Sequence, residues 1–139
     1  MRILFLLFTA LLCNLASAQT ALPVQPHPLS GVWSWTLPGT SCSESLHYRT
    51  DGMRESRSGE EVTLSRYEVS ALPGLTGFYR VTETVTESNA KADCAGDLHA
   101  APGEAVIRFI QFSPRRDQLL VCREESLKAC YGPLRRLPG

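Results

Sequence analysis

The sequence predicts an all-β fold, an antiparallel meander of about 7–8 strands that closes into a small, disulfide-stapled barrel. Three observations predict it. Short runs rich in Val, Thr and aromatic residues follow one another, with turn residues between them and no sustained helical period. Four cysteines lie beyond the N-terminal segment, at 42, 94, 122 and 130. Residues 19–139 are long enough for one domain with a core of its own. A two-sheet β-sandwich fits the same pattern and is the alternative; closure is preferred because it leaves no strand edge exposed.

The chain opens with Arg2, then an apolar run from Ile3 to Leu15 broken only by Thr9 and Asn14, ending on Ala16-Ser17-Ala18. That order is a secretory signal peptide, residues 1–18, cut before Gln19. The run falls short of the roughly 20 apolar residues that cross a bilayer. Leu12 stands before Cys13, where a lipoprotein signal carries a small residue, so Cys13 belongs to the leader. Residues 19–30 hold three prolines and read as a flexible lead-in. A single domain is expected over 31–139.

In the first strand Trp33, Trp35 and Leu37 alternate with Val32, Ser34 and Thr36. Leu46 and Tyr48 share a face of the second, and Asp51-Gly52 turns the hairpin. The third, near 53–57, is polar and reads as an edge or rim. After Ser58-Gly59, Val62 and Leu64 have one parity and Tyr67, Val69 and Ala71 the other; a bulge near Ser65 would bring both sets to the core. Residues 77–87 place Tyr79, Val81 and Val85 on one face with Glu83 among them, which makes Glu83 a residue of the barrel mouth or of a site. A long loop, 88–104, is pinned by Cys94. Ala105–Phe112 and Gln118–Arg123 are the next strands, and Gly132-Pro133 is expected to end regular structure before a basic tail.

Charge and cysteine usage narrow the function. Acidic and basic residues balance at 14 each, and removing Arg2 with the leader leaves a slight acidic excess. With no basic stripe, nucleic acid is a poor partner. The four remaining cysteines read as two disulfides in an oxidising compartment. Three pairings are open; Cys122 with Cys130 and Cys42 with Cys94 is favoured because 122–130 closes locally. No C-x-x-C knuckle suggests zinc, and the chain lacks an N-x-S/T sequon. A periplasmic or secreted protein of a Gram-negative bacterium is expected.

Gly31-Val32-Trp33 resembles the G-x-W that begins the first strand of lipocalins and related calycin barrels. The resemblance implies that Trp33 closes one end of the barrel against an Arg from near the C-terminus, here Arg135 or Arg136. It also implies a cavity for a small apolar ligand, lined by inward positions such as Tyr79, Val81, Phe109 and Leu120. Small periplasmic lysozyme inhibitors are similar in being exported, disulfide-bearing barrels that insert a Ser-Gly loop into the enzyme; Ser58-Gly59 matches that dipeptide, and Glu60-Glu61 after it does not continue the match.

Catalytic motifs are absent. His27, His47 and His99 have no metal-type spacing. There is no G-x-S-x-G elbow, P-loop or G-x-G-x-x-G. Asp93 and Asp97 bracket Cys94, and with His99 they are the one hydrolase-like grouping; as loop-solvating, turn-capping residues they have a simpler reading. The expectation is therefore a binding protein for a small molecule, or a loop-based protein-interaction module of the envelope, without enzyme activity, cofactor or metal.

Overall fold

The computed structural model describes residues 25–98 and 101–139. The leader over 1–18, the cut before Gln19 and His99 lie outside these residues. Eight antiparallel strands form a closed barrel: β1 (Gly31–Thr36), β2 (Ser43–Tyr48), β3 (Met53–Ser58), β4 (Glu61–Val69), β5 (Tyr79–Ser88), β6 (Ala105–Phe112), β7 (Gln118–Cys122) and β8 (Cys130–Arg136). Each strand pairs with its successor, and β8 returns to β1 through Trp33↔Arg136 and Ser34↔Arg135. The described residues contain no helix. The β2–β3 hairpin forms where Asp51-Gly52 predicts it: Gly52 takes φ 82°, and Asp51 Oδ1 accepts a hydrogen bond from the Met53 amide at 3.1 Å.

One end of the barrel is packed and apolar. Trp33, Leu29, Ile110, Leu119, Leu134 and Val81 are fully buried there, each contributing about 1.5–3 kcal/mol by leaving water. Trp33 Nε1 donates to the Leu29 carbonyl at 2.8 Å. The Arg136 guanidinium lies over the Trp33 ring, 4.1 Å from its centroid, and donates to the carbonyls of Ser30, at 2.7 Å, and Pro28. Gly31 explains why the motif begins with glycine. Its φ is +127°, and a Cβ there would stand 2.7 Å from Arg136 Nη1. Of the two arginines expected at this place, Arg136 occupies it.

Four expectations are corrected. Residues 27–30 are no free lead-in: they turn across the end of the barrel and drive Leu29 into the core, because Trp33 and Arg136 hold their carbonyls. The polar third strand is no edge. β3 is paired on both sides, with Ser56 and Ser58 buried. The irregularity near Ser65 exists, but its extra residue is Thr86 of β5, since the partner steps from Glu87 to Val85 between Leu64 and Ser65. A bulge on the partner leaves the alternation of β4 unbroken, so Glu61, Thr63 and Ser65 are buried while Val62 and Leu64 occupy the alternate positions. Finally, Gly132-Pro133 sits inside β8. The β7–β8 register shifts there, between Leu119 and Val121, and a proline without an N–H is tolerated at such a bulge.

Candidate functional site

The two disulfides both fall at the end opposite Trp33. Cys42–Cys94 ties the β1–β2 loop to the long β5–β6 loop, and Cys122–Cys130 joins the end of β7 to the start of β8. A cavity of about 1070 Å³ opens between these stapled loops and runs down the barrel to Leu46, Tyr48 and Val121. Its volume is at the upper end of what small-molecule pockets span. The sequence of inward positions explains the cavity: above the apolar layer β3 and β4 offer Ser56, Ser58, Thr63 and Ser65, too short to meet across the barrel.

The floor is a buried polar network. Glu83, 5% exposed, forms an ion pair with Arg54 Nη1 and accepts the Tyr48 hydroxyl hydrogen bond at 2.8 Å. Burial, the largest single influence, lowers the Arg54 pKa, but Glu83, Tyr48 and Tyr131 together outweigh it and the net shift is upward. Burial, reinforced by Glu83, raises Tyr48 well above the ordinary phenol range. Tyr131 is pushed up to about 12, chiefly by burial, with Arg54 opposing and Glu83 adding. Both phenols are therefore neutral donors at physiological pH. The Tyr131 ring tilts against Trp35, centroids 5.7 Å apart, giving the wall an aromatic panel.

Higher up, Glu44 and Glu61 project from β2 and β4. Ser58 Oγ donates to Glu44 Oε1 at 2.9 Å and accepts from the Cys94 amide at 3.1 Å, which fastens the long loop to the barrel wall. Asp93 Oδ1 accepts from the amides of Ala95 and Asp97, both at 2.8 Å, and so orders the turn at the rim. Asp93, Asp97, Glu104 and Arg123 surround the mouth. Among the described lining residues, six carboxylates face three guanidiniums.

The residues expected from sequence fall into different places. All four cysteines pair as favoured. Tyr79 and Val81 face inward but belong to the packed end. Phe109 and Leu120 alternate with buried Ile110 and with buried Leu119 and Val121, so they lie on the outer side of the barrel wall. None of these four lines the cavity. Ser58 is buried and bound to Cys94, and the backbone of Asp93 comes within 3.2 Å of where a Gly59 Cβ would stand; the hairpin tip is covered from one side and does not project as a free loop. His27 packs edge-on against Tyr79, centroids 5.1 Å apart, at the closed end, whereas His47 is exposed on β2. Asp93 and Asp97 are at the rim. No group of three or more His, Cys, Asp or Glu among the described residues is placed to hold a metal ion.

Arg54, Arg108, Glu44, Glu61 and Tyr131 were missed by sequence reasoning. The signal was present in the spacing: Arg54, Ser56 and Ser58, then Glu61, Thr63 and Ser65, alternate with strand period and make one polar face on each of two adjacent strands. No family model, curated protein or solved structure matches this chain. What the fold defines is a closed eight-stranded antiparallel barrel, compatible with a calycin-like plan, with two disulfides at its open end. No helix among the described residues is long and apolar enough to cross a membrane.

Proposed function

We propose that this is an exported binding protein whose barrel holds a small, charged, polar molecule in the stapled-end cavity. The observation that carries the reading is the cavity's interior itself, with the Arg54–Glu83–Tyr48 network at its floor and carboxylates up its wall. An apolar ligand would strip water from these groups and return no hydrogen bonds, at a cost of roughly 1–3 kcal/mol for each neutral group and more for each charge. This replaces the expectation of an apolar ligand. The Trp33–Arg136 contact and the single meander support a lipocalin-like plan for the container, and the leader motif together with the two disulfides supports export to the periplasm or beyond.

The test is a fluorescence titration. Trp35 lines the cavity and Trp33 is sealed in the apolar end, so a ligand in the cavity changes Trp35 emission first. Agmatine and spermidine are expected to give saturable changes that weaken as salt rises, and dodecanoate none. Saturable binding of dodecanoate with no response to either amine would overturn the proposal.

A further inference from the structure

We infer that the cavity is arranged for a zwitterion that enters carboxylate first, its carboxylate meeting Arg108 and the Tyr131 hydroxyl and its ammonium group remaining among the acids of the rim. The inference rests on the reading that the cavity holds a charged molecule and specifies the ligand's charge pattern and orientation.

Arg108 differs from the other floor arginine. On β6 it follows the inward alternation one step above buried Ile110, and it stands opposite Val81 of the packed layer. It is therefore deep, and it lines the cavity. Arg54 is neutralised by Glu83. Among the described residues Arg108 forms no ion pair, and its Nη1 donates one hydrogen bond to the adjacent Ile107 carbonyl, at 3.0 Å. A guanidinium presents five N–H donors, so most of its donor capacity is left for a ligand or water, and the residue lines the cavity. The Tyr131 hydroxyl also makes no hydrogen bond to a described residue, and it lies within electrostatic reach of Arg54, Glu83, Glu44 and, most weakly, Arg108. Two donors of this kind, deep in a cavity, match a carboxylate, which accepts a bidentate guanidinium and a phenol together.

The rim has the opposite character. Asp97 and Glu104 join Asp93 at the mouth with Arg123 as the only guanidinium there among the described residues. A ligand that were merely anionic would meet repulsion on entry, and one merely cationic would leave Arg108 without an acceptor. A molecule with both charges, separated by a short spacer, satisfies both ends. Trp35 and Tyr131 flank the passage between them and suit a ring or a methylene chain.

The experiment uses the tripeptide Ala-Phe-Ala as the probe in four forms: free termini, C-terminal amide, N-terminal acetyl, and both ends blocked. An extended tripeptide spans about 10 Å. Each is titrated by calorimetry into the mature protein and into Arg108→Gln and Tyr131→Phe variants, with circular dichroism confirming that each variant folds. The free form is expected to bind at least 10-fold more tightly than any blocked form. Arg108→Gln should reduce it to the level of the amide while leaving the amide's own affinity unchanged, and Tyr131→Phe should weaken it several-fold. Equal binding of the free form and the amide, unaffected by Arg108→Gln, would overturn the zwitterion and leave the charged cavity standing. Equal binding of the free and acetylated forms would remove the role of the rim acids and overturn it too. If no charged form binds, or the doubly blocked form binds equally, both the zwitterion and the charged cavity fail.

Discussion

Glu83→Gln isolates the charge at the centre of the cavity floor. Gln keeps the shape and still accepts the Tyr48 hydroxyl, so the change removes the attraction to Arg54 and little else. Breaking a buried pair by neutralising one member costs about 3–5 kcal/mol, because the other charge stays behind without compensation. Arg54 retains 15% exposure of its side chain, against 7% for Glu83, and it borders a cavity open to solvent. The lower part of the range, about 3 kcal/mol, is therefore expected. For a domain of this size that lowers Tm by about 12 °C. Urea unfolding followed by fluorescence gives the free energy directly. The double variant Arg54→Met/Glu83→Gln should recover much of the loss, since no buried charge is then stranded, and the cycle should show a coupling of at least about 1 kcal/mol. A Glu83→Gln protein within about 0.5 kcal/mol of the parent, with no coupling to Arg54, would mean that the pair is screened as a fully exposed pair would be and that the floor is not the buried network described.

Three further outcomes are expected. Gly31→Ala combines a left-handed φ with a clash against Arg136 and should cost about 2–4 kcal/mol, whereas Gly39→Ala, with positive φ but open space around it, should cost only about 1 kcal/mol; equal losses in urea unfolding would refute the packing role of Arg136. Replacing Cys42 and Cys94 by Ser opens a 52-residue separation and should lose roughly 4 kcal/mol, against roughly 2.5 for the Cys122–Cys130 pair, separated by 8 residues; the reverse order of Tm values would contradict that estimate. Burial lowers the His27 pKa, and its Nδ1 accepts the Leu29 amide at 3.0 Å, so the unfolded chain binds the proton first as pH falls. Stability should therefore decline as pH drops through and below the ordinary imidazole range, and His27→Asn, which retains an acceptor, should flatten the decline when Tm is followed from pH 7 to pH 5.

Much of the barrel was legible because closure depends on local signals. Asp51-Gly52 marks a hairpin by its own backbone preference, Leu46 and Tyr48 betray an inward face, and Cys122 and Cys130 are near enough in sequence to close locally. The cavity was obscured by the assumption that inward means apolar. Val62 and Leu64 attracted the core assignment, while Glu61, Thr63 and Ser65 beside them form the wall. In a solvated barrel interior the usual parity is inverted, and nothing local to β4 announces that inversion. Phe109 and Leu120 misled for the same reason, since apolar runs do not show which of their two faces is inside. Leu29 was hidden differently. Its burial depends on Trp33 and on Arg136, which is more than a hundred residues away in the chain, and a proline-rich approach carries no trace of such a contact.

The barrel interior is divided into a dry apolar end and a charged cavity. The test is a high-resolution crystal structure of residues 19–139, read through the water inside the barrel. Ordered water is expected on Arg54, Ser56, Thr63 and Glu83, with none among Leu29, Trp33 and Ile110. A dry, collapsed interior, with Arg54 and Glu83 apart or turned outward, would contradict it.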